Sequence, residues 1–126
     1  MIVKKPILSS RVRRTPKSFS WVDHRLVRDR HLDGCSHAAA ALYLFLVCVG
    51  DREGLSYYSD ETLAAKLGME AGLLAQARSE LIRSDLVAWR RPMYQVLSLE
   101  PVSQRRASRA VMSLGDILRQ AQGGGS

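Results

Sequence analysis

Residues 59–84, SDETLAAKLGMEAGLLAQARSELIRS, decide how the rest of the chain is read. Leu63, Ala64 and Leu67 fall on one face of a short helix, Gly68 breaks it, and Leu73, Leu74, Ala77, Leu81 and Ile82 recur at helical spacing in a second helix. Ser59 suits the N-cap of the first helix because its hydroxyl can accept an otherwise orphaned first-turn N–H. Asp60 and Glu61 follow in the opening turn, where the positive end of the helix dipole favours acids. Ala64 belongs where two such helices cross closely, so a larger side chain there is expected to push them apart.

Working outward, residues 86–90 and 94–99 are short runs rich in β-branched, aromatic and aliphatic side chains, separated by Arg91, Pro92 and Met93. That pattern predicts a small β-hairpin with Arg90 and Arg91 at its tip. On the other side, residues 36–49, SHAAAALYLFLVCV, are apolar nearly all round. A helix of that kind is expected to lie in the middle of the domain, enclosed by other elements, capped by Ser36 and stopped by Gly50. The intervening DREGLSYYS reads as a polar connector. Upstream, residues 19–22 suggest an edge strand leading into a helix over 23–31, in which Leu26, Val27 and Arg30 place one side on the core. Asp23, Asp29 and Asp33 interleave with Arg25, Arg28 and Arg30, the pattern of a solvated, salt-bridged face.

The two ends differ from this body. Residues 1–18 contain Pro6 and Pro16, show no helical period and read as a flexible basic arm. Beyond Pro101, residues Ala107, Val111, Leu114, Leu118 and Ala121 form a heptad seam, broadened by Ala110 and Ile117, on an amphipathic helix expected over 100–122. The seam must be covered, either by its own domain or by its twin in a homodimer. Gly115 weakens the helix, and residues 123–126 are a flexible tail.

Charge follows the same division. The chain of 126 residues carries a formal +7, with 46% hydrophobic residues, enough for a single core. Lys4, Lys5, Arg11, Arg13, Arg14 and Lys17 give the arm +6 with no acid, whereas residues 19–85 hold seven basic and ten acidic side chains, or −3. Basic appendages on a neutral or acidic body hold polyanions well, since each phosphate contact releases condensed counterions. Cys35 and Cys48 are too few for a disulfide scaffold and read as reduced core thiols. The most apolar run is too short to span a bilayer, so a cytoplasmic, nucleoid-associated protein with no membrane contact is expected. There is no phosphate-cradling Gly loop, HExxH, nucleophile elbow or CxxC, and His31, Cys35 and His37 lack the spacing of a zinc site. No catalytic residue, cofactor or metal is expected.

Three helices followed by a two-stranded hairpin resemble the winged helix-turn-helix fold over about residues 19–99: mainly α, with a three- or four-helix core, the hairpin as wing and LAAKLGM as the heart of the motif. The order of elements, with D-R-x-G before LAxKLG, is similar to the N-terminal domains of phage and plasmid replication initiators and of small mobile-element regulators. The resemblance implies a non-enzymatic protein, a transcriptional regulator or a replication or transposition accessory, bound to double-stranded DNA through the arm, the wing and the second helix of the motif. That helix opens with Glu70, Ala71, Gly72 and Leu73, which are poor base readers, leaving Gln76, Arg78 and Arg83. Weak base specificity follows. The alternative is a winged-helix adaptor that receives a protein partner of a replication or transposition complex on the small face of Ala71, Gly72 and Ala75.

Overall fold

The computed structural model describes residues 2–99. In chain order they form α1 (Arg25–Arg28), α2 (His37–Val49), β1 (Leu55–Tyr57), α3 (Asp60–Leu67), α4 (Ala71–Arg83), β2 (Val87–Arg90) and β3 (Met93–Val96). The architecture of the described residues is therefore mixed α/β: four helices and a three-stranded antiparallel sheet of order β1-β3-β2.

The helix pair read from residues 59–84 is present with the expected caps. Ser59 Oγ accepts the Thr62 N–H at 3.2 Å, and Gly68, at φ 64°, takes the left-handed conformation that ends α3. The Met69 N–H then donates to the Ala64 carbonyl, closing the turn into α4. Leu63 from α3 and Leu74, Ala77 and Leu81 from α4 are fully buried, and Ala64 packs against the same core.

Helix α2 is capped by Ser36, whose Oγ accepts the Ala39 N–H at 3.1 Å, and Gly50 follows its last residue. It lies principally along α4 and β3. Ala39, Leu42, Tyr43 and Leu46 make its buried face. It is not enclosed, however: Ala41, Leu44 and Cys48 are exposed on the opposite side, Leu44 at 57%. A body of this size has only one layer of partners for its central helix, and that layer covers one side.

The sheet contains a strand that the sequence pattern conceals. The connector after α2 supplies β1, whose Leu55, Ser56 and Tyr57 pair with Gln95, Tyr94 and Met93 of β3. Three residues are too few to display a period of two. Gly54 fits β1 to its neighbour: at φ 83° it brings its backbone so near Val96 that an added Cβ would lie 2.6 Å from the Val96 carbonyl oxygen. On the other side of β3, Val87 to Arg90 pair with Val96 to Met93 in the predicted hairpin.

Two upstream expectations fail. Residues 19–22 form no strand and are exposed; the Ser20 hydroxyl donates to the Cys48 carbonyl at 3.3 Å, so this segment runs past the C-terminal end of α2. The helix expected over 23–31 is a single turn, because Arg30 turns to positive φ (61°). Leu26 is buried there, whereas Val27 is 74% exposed. The seam Ala107, Val111, Leu114 and Leu118 lies outside the described residues.

Gly54 and Gly68 separate two costs. Gly68→Ala meets no atom within 4 Å and should lose only the left-handed penalty, about 1–2 kcal/mol. Gly54→Ala carries the same penalty plus a backbone clash, and should lose about 1–3 kcal/mol more. Paired urea unfolding curves check the difference; equal midpoints would remove the close approach of β1 to β3.

Candidate nucleic-acid interface

The arm is exposed along its whole described length, with one 3₁₀ turn at Ser9–Arg11 and no regular structure elsewhere. Lys4, Lys5, Arg11, Arg13, Arg14 and Lys17 are all exposed and enter no ion pair among the described residues. At the hairpin turn Arg90 and Arg91 are exposed too, flanking the cis Arg91–Pro92 peptide. On α4, Gln76 is exposed on a shallow stripe with Ala75, Ser79 and Arg83.

Arg78 departs from the expectation. It is 6% exposed, and its Nη1 donates to Asp60 Oδ1 and to the Tyr94 hydroxyl, both at 2.8 Å. Its guanidinium carbon stands 3.8 Å from the centre of the Trp89 ring, and Arg91 approaches that ring at 5.5 Å. Arg78 therefore belongs to the interior, not to a DNA-facing surface. Burial works against its charge, but the hydrogen bonds to Asp60 and Tyr94 outweigh burial and raise its pKa. The cluster ties the first turn of α3, the middle of α4 and both hairpin strands into one unit, and Arg91 is held beside it through Trp89.

Trp89 and Tyr94 were not singled out from the sequence, and Asp60 was read there only as a helix-opening acid, yet the three fix where the hairpin stands relative to α4. One signal was available. Arg78 lies four residues after Leu74 and three before Leu81, on the stripe that the period itself assigns to the core.

A second polar tie runs from α4 to α2. Glu80 accepts the Ser36 hydroxyl at 2.6 Å and the Ser36 N–H at 3.0 Å, so the residue that caps α2 is itself held by α4. The Ser36 hydroxyl, and after it the Ser36 N–H, hold the Glu80 carboxyl below its ordinary range. Asp23 is lowered further, to about 2, by the Arg25 side chain and then by the Arg25 N–H. The residues once weighed for zinc make other contacts: His31 is buried, and the Cys35 thiol points to the His31 carbonyl at 4.0 Å. Among the described residues no three His, Cys, Asp or Glu side chains gather around a common point, and no helix is long and apolar enough to cross a membrane.

Comparison with protein-family models, curated proteins and solved structures returns no match to this chain.

Arg78→Ala should cost about 2–4 kcal/mol, below the upper end for a buried pair because Asp60 is partly exposed and rehydrates. Arg78→Lys should recover less than half of it, since an ammonium cannot lie flat on Trp89 while bridging two oxygens. Urea unfolding followed by far-UV circular dichroism measures both; stability unchanged in Arg78→Ala would return Arg78 to the surface.

Acid should weaken the fold through both carboxyls. Both carboxyls have folded-state pKa values below their unfolded ones, so their contribution is complete above the ordinary carboxylate range near about 4 and is lost as pH falls through the lowered values. For Asp23 that value is about 2. The urea midpoint should fall between pH 5 and pH 2, and Glu80→Gln should flatten that fall; an identical profile in the variant would remove the Glu80 contribution.

Proposed function

We propose that the chain is a non-enzymatic, duplex-DNA-binding protein whose body is a winged helix-turn-helix, with α3 and α4 as the motif and β2–β3 as the wing. The observation that carries this reading is the exposure of eight basic side chains, six on the arm and two at the hairpin turn, without an ion pair among the described residues. Cations left open to solvent on two appendages, beside residues 19–85 at −3, support phosphate binding.

In this reading the work is divided. The arm and the hairpin turn supply most of the affinity by contacting the backbone or the minor groove. Helix α4 presents Gln76, Ser79 and Arg83 between small residues that allow close approach to a groove, with few groups that discriminate bases. Arg78 keeps α4 and the wing in fixed relation, so that both can meet one face of the duplex. Binding then depends strongly on salt and weakly on sequence. A regulator or a replication or transposition accessory is consistent with that behaviour, with the nucleoid as its location.

Electrophoretic mobility shift at graded salt tests the division of labour. Neutralising five of the six arm cations should reduce the slope of log affinity against log salt by about 4–5, at about 0.9 per phosphate contact. Arg90→Ala with Arg91→Ala should remove a further one or two, from at most about 0.9 per contact. Gln76→Ala should alter sequence preference and leave the slope alone. An unaltered slope in the neutralised arm would overturn the reading.

A further inference from the structure

Outside the interface just described, a cleft of about 500 Å³ lies between residues 19–25, the C-terminal half of α2, the 50–54 turn and residues 96–99. Its apolar lining includes Phe19, Trp21, Tyr43, Leu46, Val47 and Leu99. Phe19 and Trp21 are 63% and 74% exposed, which is expensive for two aromatic rings flanking a cleft. We propose that this cleft is the docking site of the chain's own C-terminal segment, residues 107–121, seated by its Ala107, Val111, Leu114 and Leu118 seam.

Three observations select this occupant over a second copy. Leu99 is only 8% exposed and lines the cleft, so the chain leaves the described body from within the site. Seven residues, 100–106, lie between Leu99 and Ala107, a span of eight Cα–Cα steps. Extended, such a tether reaches at most about 28 Å, longer than the roughly 20 Å of α2, so the seam can be laid along the cleft in either direction. A short tether also gives an effective concentration of the order of mM, which a second molecule at micromolar concentration does not match.

Charge agrees. The cleft's charged groups are Asp23, Asp51 and Glu53 against Arg25 and Arg52, a sum of −1, while the tether and segment together, residues 100–121, carry Arg105, Arg106, Arg109 and Arg119 against Glu100 and Asp116, a sum of +2. Asp23 is engaged by Arg25, and Asp51 accepts the Glu53 and Leu55 N–H groups of its own turn, which leaves the exposed Glu53 to face the incoming arginines. Docking would cover the seam and the two aromatic rings in one step, and neither Arg90 nor Arg91 lines the site.

The test uses the full chain with Cys35→Ser, Cys48→Ser and Arg52→Cys, carrying a nitroxide on the new thiol at the cleft rim, with ¹⁵N amide spectra as readout. Tail amides over 107–121 should lose at least half their intensity relative to the reduced label. Leu114→Asp with Leu118→Asp should restore that intensity while the body's spectrum stays folded. In a mixture of spin-labelled unenriched chain with ¹⁵N-enriched unlabelled chain, tail intensities should be unchanged. Undiminished tail signals in the labelled chain overturn the proposal, and so do tail signals broadened in the mixture, which would assign the cleft to a second copy.

Discussion

A guanidinium inside a small protein constrains everything that touches it. Arg78 loses most of its hydration, and the loss is tolerable only if acceptors stand where its N–H groups point and a polarisable face covers its plane. Asp60, Tyr94 and Trp89 meet those conditions from three different elements. Each is thereby fixed in turn. Asp60 belongs to the first turn of α3, so the angle between α3 and α4 is tied to the same charge that locates the hairpin. The apolar contacts among Leu63, Leu74, Leu81 and Tyr94 supply the bulk of the burial, but they are non-directional, and the Arg78 cluster gives the arrangement its orientation.

This cluster also explains which parts of the molecule were legible in the sequence. Helices α3 and α4 were, because their apolar spacing, the Ser59 cap and Gly68 all point the same way. The hairpin was legible for a similar reason. Its role as an anchoring element was not, since it depends on an arginine that composition assigns to solvent and period assigns to the core. Strand β1 escaped because three residues cannot show alternation, and because its register is set by the approach of Gly54 to Val96, a tertiary contact with no local trace. The run of apolar residues in α2 suggested complete enclosure; what the run cannot express is how many elements the body has to enclose it with.

The upstream segment shows the opposite failure. Residues 19–22 have the aromatic and β-branched composition of a strand, yet they join neither edge of the β1-β3-β2 sheet and lie instead beside the end of α2, where the Ser20 hydroxyl donates to the Cys48 carbonyl. Its rings are exposed as a consequence of topology rather than of hydropathy. Composition had placed them correctly among residues that need a partner and wrongly among residues that find it in the sheet.

On the proposed reading, the division between body and appendages has an energetic logic. Residues 19–99 sum to −1 and attract a duplex little at distance, so the arm at +6 makes first contact, and its exposure means that no internal ion pair has to break before it does. The body then orients what the arm has captured. Its contribution is geometric: α4 and the hairpin turn are held at one angle by a buried guanidinium, whose contacts with Trp89 and Tyr94 are screened by salt far less than the exposed cations of the arm. Affinity and orientation thus reside in separate parts of the chain and respond differently to salt. Such a protein keeps the same pose on DNA across conditions that change how much of it is bound.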